Sequence, residues 1–174
     1  MTAALTSQQI RHLFDLLNGE LARDEVKGEL YLVGGAVMCL VFKTRPSTRD
    51  VDALFEPASA VRRAAARVAM EARVGEKWLN DAVKAYASAK GGYAQFLSLS
   101  HLSVMTAQPD YLLAMKCLAM RIGEEFHDLD DVRFLLRYLN IESYDEAKAV
   151  IARFYPIERF PQKTLYVLEE LLAP

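Results

Sequence analysis

Tyr31–Phe55 reads YLVGGAVMCLVFKTRPSTRDVDALF, and the order of elements in this stretch decides the fold. Glu29 to Val33 (ELYLV) is a short apolar run that ends on Gly34-Gly35, which predicts a buried strand closed by a glycine turn. Ala36 to Phe42 is apolar and built on small residues, and predicts a helix. Lys43 to Arg49 (KTRPSTR) is polar and contains a proline, as a connecting loop does. Asp50 to Phe55 (DVDALF) then alternates charged and apolar side chains, the pattern of a strand with one solvated face.

The chemistry suggested by this order lies in its two ends. Residues i and i+2 of a strand point to one face, about 6.6 Å apart along the chain, so Asp50 and Asp52 would repel each other unless a cation lies between them. Mg²⁺, or the similar Mn²⁺, favours hard oxygen ligands together with substrate phosphates. Such cations can activate an attacking oxygen and stabilise a leaving pyrophosphate in an in-line displacement. At the other end, glycine at 34 and 35 lets backbone approach a ligand closely. The first amides of the following helix lack intrahelical acceptors and sit at its positive end, where they can bind phosphate oxygens. Taken alone, a double glycine is a turn and an isolated DxD is a solvated strand edge; the signal is their order, with a short helix between them. A dinucleotide fingerprint does not fit, because GGAVMCL lacks the third glycine and the acidic partner downstream of an uninterrupted βαβ unit.

Outward from this stretch, Ile10, Leu13, Phe14, Leu17 and Leu21 follow helical spacing, with Thr6 or Ser7 available as the cap. Pro57 opens a second helix that AAARVAMEA continues and Gly75 would end. Trp78 to Ala87 reads as another short helix, and Gly91-Gly92 turns the chain into Tyr93 to Ala107, one long strand or a hairpin bent near Ser100. Helices dominate thereafter, from Pro109 through Ile122, from about Phe126 to Leu139, behind a Ser143/Glu146 capping box, and from Pro161. Strands come early and helices late, which predicts an α/β (α+β) fold: a small mixed sheet flanked by helices over residues 1–107, and a C-terminal helical subdomain over 108–174 packed on that core as one compact unit.

Composition narrows the class. With 52% apolar and 25% charged residues and only 8 Gly and 6 Pro, the chain is neither disordered, collagen-like nor a disulfide miniprotein. Lys and Arg number 21 against 23 Asp and Glu, a net charge of −2 that argues against broad coating of nucleic acid. The opening MTAALTSQQIRHLF has no basic segment followed by a long apolar run, and Leu30 to Phe42 is too short to span a bilayer, so no secretory signal and no membrane partner are expected. Cys39 and Cys117 lie in apolar runs and read as buried thiols of a cytoplasmic, reduced protein.

The run YLVGGAVMCLVFKTRPSTRDVDALF resembles the signature of the DNA polymerase β-type nucleotidyltransferase superfamily, a GG turn followed by a DxD strand. More narrowly, it is similar to small bacterial nucleotidyltransferase-like proteins related to AbiE-type toxins. The likeness continues through WLNDAVKAY (78–86) and YLLAMKCLAMR…HDLDDVRFLL in the C-terminal half. It implies that Asp50 and Asp52 bind Mg²⁺ or Mn²⁺, that Gly34 and Gly35 hold an NTP, and that Arg45 and Thr48 shape the nucleotide loop. It further implies a functional lysine at Lys116, which would contact nucleotide phosphates, and an acidic pair at Asp128 and Asp131, with Asp131 the preferred member. One feature departs from the pattern: active members bring a third carboxylate from a later strand, and FLSLSHLSVMT (96–106) contains none. Either Asp81 or Glu56 would substitute, or metal binding would be weaker.

The remaining residues each carry two readings. Lys116 has Leu112, Leu113, Ala119 and Met120 at helical spacing around it, so its ammonium either snorkels to water or projects into a cleft towards an anion. Asp128 and Asp131 share a face near a helix start, where negative charge is favourable without further purpose; functionally, one of them would orient Lys116 or Arg121, or hold substrate. His127 beside them reads as a cap or surface residue, since Mg²⁺ rarely takes imidazole. Trp78 is a core residue, and Asn80 and Asp81 cap a turn or line a base pocket. Arg62, Arg63, Arg67, Arg73, Lys77, Lys84 and Lys90 form a locally basic stretch, a solvated helix face or a track for an RNA backbone.

The expected function is a Mg²⁺-dependent nucleotidyltransferase that moves an NMP from an NTP to an acceptor hydroxyl of RNA, tRNA or a protein. A toxin role with an antitoxin partner follows from the resemblance alone. The rival is a non-catalytic nucleotide-binding protein that keeps the fold and regulates a partner. A plain helical interaction module would lose no binding when the two aspartates become asparagine.

Overall fold

The Thr6 side chain accepts a hydrogen bond from the Gln9 amide while the Gln9 side chain accepts from the Thr6 amide, a reciprocal cap that starts helix α1 (Ser7–Arg23). One face of α1 is sealed by Ile10, Leu13, Phe14, Leu17 and Leu21, all buried. The computed structural model describes residues 3–121, 123 and 127–174. The fold is α+β.

The chain divides into two compact units, Met1–Ala85 with Tyr93–Ala107, and Tyr86–Gly92 with Gln108–Pro174. The segment around Gly91-Gly92 belongs to the helical unit.

In the first unit, β2 (Gly28–Val33) is the central strand of a mixed sheet. It pairs antiparallel with β4 (Val51–Glu56) on one side and parallel with β7 (Leu102–Ala107) on the other. Beyond them lie β5 (Leu79–Asn80), parallel to β4, and β6 (Tyr93–Ser98), antiparallel to β7, giving the order β5-β4-β2-β7-β6 among the described residues. Tyr93 to Ala107 is thus a hairpin, with a register shift between Gln95 and Leu97. Helices α1 and α3 (Ala58–Ala72) pack together, and α3 buries Val61, Ala64, Val68 and Ala69. Two residues at each of β1 (Leu5–Thr6) and β3 (Ser47–Thr48) form a separate antiparallel pair.

Three local readings change. Ala36 to Phe42 is not one α-helix: α2 (Gly35–Val37) runs into a wider π-helical turn, Met38–Phe42, closed by Lys43 at φ 57°. Helix α3 ends before Gly75, because Arg73 itself takes the left-handed cap at φ 56°. Trp78 to Ala87 is not a helix. The Val51 amide donates to the Trp78 carbonyl at 2.6 Å and Leu79–Asn80 pair with Val51–Asp52, so strand pairing overrides local spacing and only Ala82–Ala85 form a 3₁₀ turn. Trp78 is core as expected, its indole N–H donating to the Ala65 carbonyl at 3.0 Å.

The second unit is helical, with α4 (Pro109–Leu118), α5 (Asp128–Tyr138), α6 (Tyr144–Ile151) and α7 (Gln162–Leu171). The expected helix ends at Ile122 and Phe126 lie outside the described residues. Ser143 caps α6 by accepting from the Glu146 amide, whereas the Glu146 carboxylate reaches back one residue further, to the Glu142 amide. Gly91 lies flat beneath Tyr111, where a Cβ would come within 2.1 Å of the ring. The Tyr111 hydroxyl accepts from the Ser88 amide at 2.9 Å, and the Ser88 hydroxyl donates to the Phe154 carbonyl at 2.8 Å. That glycine is therefore a packing device. No helix among the described residues is long and apolar enough to cross a membrane.

Candidate active site

The acid pair and the double glycine meet because β2 and β4 are antiparallel: Asp52 is the register partner of Val33, the last residue before the glycines. Val51 and Ala53 point into the core while Asp52 stays half-buried on the opposite face, as the alternation of DVDALF requires. Asp50 immediately precedes the strand and is also half-buried.

Gly34 takes φ 68° and ψ −149°, a combination essentially confined to glycine. A Cβ there would lie 3.2 Å from Asp52 Oδ2, so the carboxylate rests directly over the turn. Gly35 is just as constrained, by space: a Cβ would come within 2.7 Å of an Arg45 guanidinium nitrogen and 2.8 Å of Thr48 Oγ1. The Thr48 hydroxyl donates to the Asp50 carbonyl at 3.3 Å. These contacts gather Gly34, Gly35, Arg45, Thr48, Asp50 and Asp52 at one end of the sheet.

A seventh member comes from β5. Asn80 is the register partner of Asp52, and its Nδ2 donates to Asp50 Oδ2 at 3.2 Å. Its neighbour Asp81 is engaged elsewhere, with Arg62 at 2.8 Å and Lys84 at 3.1 Å. The Lys84 hydrogen bond, against the opposing effect of burial and with help from Arg62, holds the Asp81 carboxyl below the usual carboxylate range. Glu56 ends the same strand as Asp52, about 13 Å further along it, opposite Glu29. Neither proposed substitute for a third carboxylate therefore stands beside the acid pair, and the side chain that does is an amide.

The donor set suits a hard divalent cation. Asp50 and Asp52 are half-buried carboxylates at a glycine turn, and Mg²⁺ is commonly held by one or two carboxylates together with water and substrate phosphates. Among the described residues no group of three or more His, Cys, Asp or Glu side chains gathers to hold a metal ion. Asp50 and Asp52 would supply two ligands, and the rest would come from solvent and substrate.

The second unit brings Lys116, Asp128 and Asp131 together. Lys116 Nζ lies 2.7 Å from Asp131 Oδ2 and 3.2 Å from Asp128 Oδ1, with the three side chains 9%, 3% and 5% exposed. Asp128 Oδ2 accepts both the backbone amide and Nε of Arg121, at 2.9 and 3.0 Å. Burial alone would push the Asp128 carboxyl up; the hydrogen bonds from Arg121 and the charge of Lys116 outweigh it and hold it below the usual range. Of the two ways out of the apolar stripe, Lys116 takes neither the solvent route nor an open cleft; it turns onto the carboxylates of α5. His127 is the exposed cap residue of α5, without a side-chain capping bond.

The basic stretch is partly spent on ion pairs: Arg67 on Glu20 at 2.6 Å and on Asp24, Arg62 and Lys84 on Asp81. Two features of the site escaped the sequence. The strand carrying Asn80 is only two residues long, with no periodicity to reveal it, and Thr48 is held by pairing with Leu5, forty-three residues away. Comparison with protein-family models, with curated proteins and with solved structures finds no match for this chain, so its functional reading rests on these residues and their geometry.

Proposed function

We propose that this chain is a divalent-cation-dependent nucleotidyltransferase that transfers an NMP from an NTP to an acceptor hydroxyl of RNA, tRNA or a protein. The observation that carries the reading is the Gly34-Gly35 turn with the Asp52 carboxylate over one glycine and Arg45 and Thr48 against the other. A carboxylate pair, a guanidinium and the backbone of a glycine turn at a single strand end are the groups a cation-bound triphosphate needs. The resemblance of Tyr31–Phe55 to the polymerase β-type signature supports the same reading.

In the reaction, the acceptor oxygen attacks the α-phosphorus, a new P–O bond forms, and the bond to the bridging oxygen breaks. Pyrophosphate leaves with the electron pair and the acceptor proton passes to solvent. Asp50 and Asp52 would hold Mg²⁺ or Mn²⁺, which supplies neutralisation of phosphate charge when bound. The Gly35 and Ala36 amides and Arg45 would hold the phosphates in line, so that catalysis is mostly positioning and electrostatics. Lys116 reads best as the centre of a charged cluster that Asp128 and Asp131 orient. An antitoxin partner follows from the AbiE-type resemblance.

A second reading has its own observation. With Asn80 where a third acid would stand, the site would bind a nucleotide and regulate a partner without turnover. Calorimetric titration of Mg²⁺ and each NTP should show cation-dependent binding that Asp50→Ala/Asp52→Ala abolishes. Incubation with labelled NTPs and total RNA or co-purified protein then separates the two readings: label transfer supports the enzyme, and its absence with every cation sinks that claim.

A further inference from the structure

We infer that Asn80 is a positioning residue that fixes the Asp50 carboxylate and makes cation binding at this site depend on the phosphates of the nucleotide. The inference rests on the reading of Asp50 and Asp52 as the cation-holding pair.

The orientation of the Asn80 amide is set on both sides. Its Oδ1 accepts the Ala82 amide at 3.4 Å, which turns Nδ2 towards Asp50 Oδ2 at 3.2 Å. Reversal would bring two acceptors face to face at Asp50 and two donors face to face at Ala82. The backbone beneath is held by pairing of Leu79 and Asn80 with Val51 and Asp52, and by the buried indole of Trp78 one residue before the strand. Asn80 therefore presents a fixed donor to the acid pair.

A neutral amide at this place has a consequence for affinity. Cation affinity of oxygen sites rises with the number of charged ligands, so two carboxylates, one of them already accepting an amide N–H, hold Mg²⁺ or Mn²⁺ weakly until phosphate oxygens add their charge. Cation and nucleotide then bind as a unit. An aspartate at position 80 could still accept the Ala82 amide, but its other oxygen would face Asp50 and create a repulsion that a cation relieves.

The test is equilibrium dialysis of Mn²⁺ against the full chain, with and without an equal mixture of the four α,β-methylene NTP analogues, for wild type, N80D, N80A and D52N. In wild type, retention of Mn²⁺ should tighten at least about tenfold when the analogues are present. N80D should tighten nucleotide-free Mn²⁺ binding about tenfold and narrow that gap. N80A should weaken Mn²⁺ binding in the presence of the analogues about tenfold, as loss of a supporting hydrogen bond to a metal ligand does. Because N80D keeps the acceptor for Ala82, it tests the idea even if N80A unfolds. Wild-type Mn²⁺ binding in N80D overturns the role of Asn80 when D52N abolishes binding; if D52N also binds as wild type, it is the reading of the acid pair that fails.

Discussion

Asp50 and Asp52 stand two residues apart at the start of a strand, Asp128 and Asp131 three apart in the first turn of a helix, and the two pairs have very different surroundings. The helical pair is almost wholly buried, and the chain supplies its counter-charge in Lys116 and Arg121. The strand pair is half-buried, lies over a glycine turn, and takes an amide from the neighbouring strand. Desolvating a carboxylate costs several kcal/mol unless a cation and hydrogen bonds repay it, so a buried pair must carry its cation permanently. A pair still in touch with water can exchange one. On this comparison the helical cluster is neutralised within the chain, and the strand pair is the one that the proposed function assigns to a ligand.

The largest expected effect breaks the first half of the comparison. Lys116→Met removes the ammonium shared by the buried Asp128 and Asp131 carboxylates and should cost about 3–5 kcal/mol of stability, read as a lowered urea midpoint. Asp52→Asn should change that midpoint little while removing cation-dependent nucleotide binding. A Lys116→Met protein as stable as wild type would show that the cluster is not what holds α4 to α5.

Gly34→Ala should have an intermediate effect. Forcing a side chain to φ 68°, ψ −149° stores about 1–3 kcal/mol of strain, and its Cβ would press on Asp52 Oδ2 at 3.2 Å. Nucleotide binding should fall further than stability does, which calorimetry beside thermal unfolding would reveal. Equal losses would make the turn a folding device and weaken the phosphate reading.

The smallest effect sharpens the electrostatics. The Asp128 carboxyl is held below its ordinary value of 3.8 in the folded protein, so its contribution to stability is complete above that value. It is lost as pH falls through the lowered folded-state value. Between the two, the unfolded chain binds more protons than the native one and stability rises with pH. Asp128→Asn removes that difference, and its acid unfolding curve should be shallower below about pH 4 than that of wild type.

Much of the first unit was legible from periodicity. The apolar face of α1, the buried run of β2 and the alternation of β4 each reflect a local requirement to hide one side of an element, and Asp52 was correctly placed on the outward face. The reading failed where an element exists only through a distant partner. Leu79–Asn80 has no periodicity of its own, and a helix assigned across Trp78 to Ala87 hid the strand that brings Asn80 to the acids. Phe96–Thr106, the later segment that carries no carboxylate, forms the β6–β7 hairpin on the far side of β2 from the acid pair.

By itself the sequence determined the glycine turn and the acid pair, because a positive φ and an i, i+2 alternation are demands that a few neighbouring residues meet or fail to meet. Only the tertiary structure decided what each charge faces: that Lys116 turns onto Asp128 and Asp131, that Arg45 and Thr48 close over Gly35, and that an amide stands next to Asp50. Electrostatic partners are chosen by proximity in space, and ten to thirty residues of chain separate these groups from those they touch.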